Sequence, residues 1–188
     1  MGRFLIGIDE AGRGPLAGPV AVGVALVEQS FDWGLIPGVR DSKKMSEKAR
    51  EAVFARMEEL KREGVLRFAV GFSSAQIIDS RGIVPAIQSA LARALGTLDV
   101  SPDECSVLLD GGLRAPEIFT NQKTIIRGDD SEPVISLASI AAKISRDRIM
   151  SRESEKFPEY GFEVHKGYGT KAHRELIGRL GLSPMHRA

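Results

Sequence analysis

The sequence predicts an α/β fold, a central sheet with helices packed against it, and three observations carry the prediction. Short apolar runs rich in Val and Ile alternate with longer stretches patterned at helical spacing. The runs are bounded by Gly, Pro and Asp, the residues that end strands and open turns. Leu, Ile, Val and Phe together number 52 of the 188 residues, enough to bury a core at a length that suits one domain.

Taken in order, Arg3 to Ile8 reads as a strand cut off by Asp9-Glu10. Gly12-Arg13-Gly14-Pro15 forms a tight loop leading to a second strand, Val20 to Val27. Phe31 to Val39 is punctuated by Gly34, Pro37 and Gly38 and reads as a loop, with Trp33 as its anchor. Ser46 precedes Ala49, Val53, Met57 and Leu60 at helical spacing, which makes Ser46 the expected N-cap and Gly64 the stop. Val65 to Phe72 is a third strand. Val84 to Leu95 follows as a helix, because Pro85 is tolerated in a first turn. Beyond Pro102, Cys105 to Leu109 is a strand stopped by Asp110, and Lys123 to Ile126 is a fifth, ended by Gly128-Asp129-Asp130. Val134 to Met150 reads as one helix with Ile140, Ile144 and Ile149 near one face. From about residue 155 a small helical segment is expected, its last helix capped by Thr170 and terminated by Gly181.

A formal charge of +1 excludes binding to nucleic acid through bulk charge, so any such site must be local. His165, His173 and His186 fall in the last 24 residues beside Lys166, Lys171, Arg174, Arg179 and Arg187, as a phosphate-contacting surface or a solvated basic helix. Cys105 is the sole cysteine, which excludes an internal disulfide, and it suits a small buried position at a strand start. The N-terminus has no apolar run of signal or membrane-span length, and the expectation is a soluble, cytoplasmic protein away from membranes. Gly-x-Ser-x-Gly is absent, and Gly12-Arg13-Gly14 lacks the Gly-Lys-Ser/Thr ending of a P-loop. Hydrolase triads and nucleotide triphosphatases are therefore disfavoured.

The chemistry lies in the acids. Three β-like runs end in carboxylates: Ile6-Gly7-Ile8-Asp9-Glu10, Val107-Leu108-Leu109-Asp110 and Ile125-Ile126-Arg127-Gly128-Asp129. Each alone fits an Asp turn or a helix cap. Together they pose a charge problem, because an unpaired carboxylate at the end of a central strand costs several kcal/mol. Mg²⁺ prefers a few carboxylates with water and phosphate oxygens and is a natural counter-charge. Two such ions about 3.5 to 4 Å apart can stabilise both the attacking and the leaving oxygen in phosphodiester cleavage.

Ile8-Asp9-Glu10-Ala11-Gly12-Arg13-Gly14-Pro15-Leu16-Ala17-Gly18-Pro19-Val20 resembles the opening motif of the type 2 ribonucleases H, the ribonuclease HII family. Asp41-Ser42-Lys43-Lys44, Leu109-Asp110-Gly111, Gly128-Asp129, Ser139 to Arg148 and His165-Lys166-Gly167-Tyr168 match further family motifs in order. The resemblance spans residue 4 to Arg187. A type 2 enzyme is expected over a type 3 one, whose members carry an extra substrate-binding domain ahead of this motif. Gly82 departs from the family, standing where an asparagine is frequent.

The resemblance implies an RNase H-like fold: a mixed five-stranded sheet with helices on both faces and a small helical C-terminal part. It implies Asp9, Glu10, Asp110 and Asp129 as catalytic and metal-binding residues for two Mg²⁺ or Mn²⁺ ions, with Asp129 preferred to Asp130 because the family's acid directly follows a glycine. Gly12, Arg13 and Gly14 would contact a ribose 2′-hydroxyl, Tyr168 would pack on the next deoxyribose, and Lys43, Lys143 and Arg146 would lie near phosphates. On the residues alone, Gly12 and Gly14 equally suit a tight turn, Tyr168 an anchor for the last helix, and Lys143 and Arg146 an exposed helix face. The implied activity is endonucleolytic cleavage of RNA in RNA/DNA hybrids and incision 5′ of ribonucleotides embedded in duplex DNA, leaving 5′-phosphate and 3′-hydroxyl ends. The partners would be those nucleic acids, and the chain a monomer. A junction-resolvase-type nuclease and a non-catalytic nucleic-acid-binding module are the alternatives.

Overall fold

The computed structural model describes residues 2–39 and 45–188. Strand β1 (Phe4–Ala11) lies at the centre of the sheet because its alternating residues are apolar on both faces, with Ile6 and Ile8 fully buried. It pairs antiparallel with β2 (Val20–Glu28) and parallel with β4 (Cys105–Asp110). Strand β3 (Arg67–Ser73) is antiparallel to β2, and β5 (Gln122–Ile125) is parallel to β4. The order is β3-β2-β1-β4-β5, a mixed five-stranded sheet as expected.

One expectation about β1 is corrected. Asp9 and Glu10 do not follow the strand; they are within it, opposite Gly23 and Val22 of β2. The pairing with β4 stops at Ile8 opposite Leu109, so beyond that point β1 is held on one side only. Carboxylates are tolerated inside a central strand here because the pairing with the parallel neighbour has already ended.

Helices cover both faces. Helix α1 (Glu47–Arg62) starts at Ser46, whose side chain accepts from the Ala49 N–H at 3.2 Å, and the chain leaves it through Gly64 at φ +75°. Helix α2 (Ala75–Arg81) was not legible in the sequence, since Ala-Gln-Ile-Ile-Asp-Ser-Arg is two turns and too short to show a period. Gly82, at φ +84°, ends α2 and begins α3 (Ile83–Gly96), which buries Ala90 and Leu91 against the sheet. The turn expected at Gly128-Asp129-Asp130 is instead a four-residue helix, α4 (Gly128–Ser131), entered through Arg127 at φ +55°.

Helix α5 (Pro133–Ser154) crosses β1 and β2 on the face opposite α3 and is buried around most of its circumference. Two strand glycines set its height. A Cβ on Gly7 would overlap the Val134 carbonyl, and one on Gly23 would overlap the Ala138 carbonyl. The helix backbone therefore rests on the sheet backbone with no side chain between. The C-terminal part comprises α6 (Phe162–His165) and α7 (Lys171–Leu180), the latter capped by Thr170 and ended by Gly181 as expected. It docks through Tyr160 and Phe162 onto Ala17 and Met150.

Gly23→Ala is expected to destabilise the protein by about 3 kcal/mol, the upper end for overpacking, because backbone must move. Gly96→Ala, at a helical site with open space around its Cβ, is expected to be neutral or to stabilise by about 0.5 to 1 kcal/mol. Urea unfolding of the two variants beside wild type measures both.

Candidate active site

A cleft of about 400 Å³ opens at the C-terminal ends of β1 and β4, lined by Asp9, Glu10, Asp110 and Asp129 together with Arg50, Ser139, Lys143 and Tyr168. β1 supplies the first two acids and β4 the third. The Asp110 carboxylate accepts from the Gly128 N–H at 2.7 Å, which ties β4 to the start of α4 and swings Asp129 in beside it. Asp129 is fully buried, and its carbonyl accepts from the Ser136 hydroxyl of α5. Asp130 is exposed and does not line the cleft.

Asp9 is 6% exposed and shares its sheet face with Gly7, toward α5. Its carboxylate takes hydrogen bonds from the Ser139 side chain and, at 2.7 Å, from the Glu10 N–H. These do not offset burial and the neighbouring charges of Asp110 and Glu10, and the Asp9 carboxyl is pushed up to about 8. Burial also raises Glu10, which Arg13 counters at 3.2 Å. Among the described residues no cation pairs with Asp9 or Asp110.

The other expected residues divide. Lys143 lies in the cleft, bonded to Asp147 at 2.5 Å, with its ammonium 6.0 Å from the Tyr168 ring centroid. Tyr168 is 43% exposed, its ring open to a ligand. Arg13 and Gly14 are exposed beside the cleft, whereas Gly12, at φ +88°, is buried, and a Cβ there would overlap the Arg146 side chain.

Arg146 departs from expectation. It is fully buried and donates to the Pro19 carbonyl at 2.9 Å and the Ala17 carbonyl at 3.1 Å, with its guanidinium 5.6 Å from the Tyr168 ring centroid. The side chain supports the loop after β1 from below and offers no surface to a phosphate. Lys43 lies outside the described residues.

Two polar residues of the cleft, Ser139 and Arg50, carry no role in the sequence reading. Ser139 stands four before Lys143 on α5, a spacing that puts both on one helix face and was a usable signal. Arg50 of α1 reaches the cleft only through packing of α1 on α5 and left no sequence signal.

Carboxylates from two strands and the start of a short helix, with Arg50 and Lys143 beside them, suit a phosphate ester, and on this sheet they define a ribonuclease H-type nuclease. Residues 6–188 match the sequence profile of the ribonuclease HII family. Ribonuclease HII of Syntrophotalea carbinolica is 44% identical over 186 residues, which cover 99% of this chain and 84% of that one. Among solved structures, ribonuclease H2 of Pyrococcus horikoshii superposes with a TM-score of 0.77 at 26% identity, covering 98% of this chain and 92% of its own. The enzyme in the PCNA:RNase HII complex from Archaeoglobus fulgidus gives 0.75 at 27% identity, covering 98% and 93%. The chain belongs to the ribonuclease HII family, metal-dependent endonucleases that hydrolyse RNA in RNA/DNA hybrids. Among the described residues no helix is long and apolar enough to cross a membrane.

The Asp9 carboxyl, at about 8 when folded and near 3.8 when unfolded, takes up a proton on folding between those values, so without metal its contribution to stability falls as pH rises from about 4 to about 8. Asp9→Asn removes that slope. In buffer with a chelator, the gain in melting temperature of Asp9→Asn over wild type is expected to be larger at pH 8 than at pH 5, at about 2 to 4 °C per kcal/mol. An equal gain at both pH values contradicts the buried, repelled carboxyl.

Proposed function

We propose that this enzyme incises duplex DNA on the 5′ side of embedded ribonucleotides, as well as cutting the RNA strand of RNA/DNA hybrids, with Asp9, Glu10, Asp110 and Asp129 at the reacting phosphate. The observation that carries the reading is the meeting, in one cleft, of these acids with Tyr168 and Lys143, while the Gly12 to Gly14 loop leads straight off Glu10. The donor set fits a hard divalent cation. It is all carboxylate oxygen, and Asp9 is driven up by burial, with the charges of Asp110 and Glu10 adding to it and no cation among the described residues paired with it. Among the described residues no three acids are already gathered as a ligand set, so binding would draw the carboxylates together against their repulsion. When bound, two Mg²⁺ or Mn²⁺ ions supply activation of the attacking water and stabilisation of the leaving 3′ oxygen.

The chain's own residues do the rest. Asp9 is oriented by Ser139, and Asp110 by the Gly128 N–H. Lys143, and Arg50 on the facing helix, set positive charge where the substrate backbone passes. The exposed Tyr168 ring offers an apolar surface to a sugar, and backbone donors at Gly12 to Gly14 can reach a 2′-hydroxyl, the single group by which RNA differs from DNA there. The products are a 5′-phosphate and a 3′-hydroxyl. A junction resolvase would have no use for a ribose reader.

Asp110→Asn is expected to fold and to lower cleavage of a duplex carrying one ribonucleotide by about a hundredfold or more. Asp129→Asn should harm turnover far more than Asp130→Asn, with near wild-type rates in the exposed variant. Both are read from gel-resolved cleavage of a labelled duplex, with an all-DNA duplex as blank.

Tyr168→Ala is expected to cost about 1 to 3 kcal/mol, roughly tenfold to a hundredfold in kcat/KM, and Tyr168→Phe much less. The loss should be greater on a single embedded ribonucleotide than on a continuous RNA strand paired to DNA. Equal losses on both substrates would remove the junction-sensing role.

A further inference from the structure

We infer that Arg187 is a positioning residue for the ribose-reading loop: it ties down the carbonyls of Gly12 and Arg13 and so aims the Arg13 and Gly14 N–H groups at the substrate. The inference rests on the reading of Gly12 to Gly14 proposed above. Arg187 uses every guanidinium nitrogen on this one loop, donating from Nε to the Gly18 carbonyl at 2.9 Å, from one terminal nitrogen to the Arg13 carbonyl at 3.1 Å, and from the other to the Gly12 carbonyl at 2.7 Å. A trans peptide holds its C=O and the following N–H antiparallel. Fixing the Gly12 and Arg13 carbonyls toward Arg187 therefore turns the next two N–H groups the opposite way. Neither donates to another described residue, and both belong to exposed residues. Two adjacent donors are left facing solvent beside Glu10, in a fixed orientation.

The rest of the surrounding structure keeps Arg187 in place. Its own N–H donates to the Leu16 carbonyl at 2.8 Å, and the Met185 carbonyl accepts from Gly18 at 2.7 Å, so Met185 to Arg187 bridges antiparallel to Leu16 to Gly18. His186 is locked by a one-way chain of bonds. The Tyr168 carbonyl can only accept, so His173 carries its proton on Nδ1 and its bare Nε2 accepts. His186 must then donate from Nε2, at 3.0 Å, leaving its Nδ1 to accept from the Ser183 N–H at 2.9 Å. This chain joins the segment holding the Gly12 to Gly14 loop to the backbone of Tyr168, the two halves of the proposed ribose reader.

The test is the affinity of wild type and Arg187→Ala for two labelled DNA duplexes that differ by one 2′-hydroxyl, measured by fluorescence anisotropy with chelator present so that nothing is cut. Wild type is expected to prefer the ribonucleotide duplex. Arg187→Ala should lower that preference on the order of tenfold while its affinity for the all-DNA duplex stays within about twofold. A preference kept at the wild-type level by the folded variant overturns the inference, and so does an equal loss on both duplexes, which is general damage. Should Arg187→Ala not fold, Arg187→Gln, which keeps the stem and a single donor pair, is read by the same ratio and the same criteria. Absence of any preference in wild type overturns the ribose-reading function itself, and with it the inference, and is seen before any variant is made.

Discussion

Contact between the backbone of α5 and the backbones of β1 and β2 is the constraint on which the rest depends. Glycine inside a strand costs about 0.5 to 1 kcal/mol relative to alanine, yet Gly7 and Gly23 both stand where any side chain would strike an α5 carbonyl. The close approach puts one face of a single helix within reach of every part of the site. Ser139 bonds Asp9, Lys143 enters the cleft, Arg146 supports the loop after β1 and Met150 receives the C-terminal part. Those positions recur every three or four residues, the stripe a helix presents on one side. Raised by the width of a methyl group, α5 would carry all four away together.

The same geometry makes the site expensive to fold. Strand β1 outruns β4, which frees Asp9 and Glu10 from a fully paired sheet and opens the cleft, but Asp9 is still almost completely buried and faces two other acids. Among the described residues, Asp9 and Asp110 are answered with neutral donors, the Ser139 side chain and backbone N–H groups, and Arg13 pairs only with Glu10. Such donors orient the carboxylates without cancelling their charge, and the charge is what a divalent ion requires. Stability is given up locally for function, and the sheet core on either side, from Ile8 to Leu109, carries that cost.

The loop between β1 and β2 shows the complementary arrangement, with cations directed at carbonyls instead of carboxylates. Arg146 from below and Arg187 from the side bond the carbonyls of Gly12, Arg13, Ala17, Gly18 and Pro19. A glycine-rich loop that would otherwise sample many conformations is held in one. Gly12 has no side chain because the Arg146 guanidinium occupies that space.

The sequence by itself determined the types of the longer elements and the family, and it singled out the acids. Alternating apolar runs and helical spacing gave all five strands and the four longest helices, because those periods are local properties of the chain. The unbroken motif from Ile8 to Val20 identified the family, and Asp9, Glu10, Asp110 and Asp129 fell in the same cleft. Short elements escaped, since α2 and α4 contain too few residues to display a period. What only the tertiary structure decided was where side chains of equal charge end up. Lys143 and Arg146 are three apart on one helix and look alike in sequence, yet one lines the cleft and the other is buried under a loop. Arg50 lines the cleft, and Arg187, far from it in the chain, bonds the loop that follows β1. Burial depends on which distant segment packs over a residue, and a local pattern of residues holds no record of that contact.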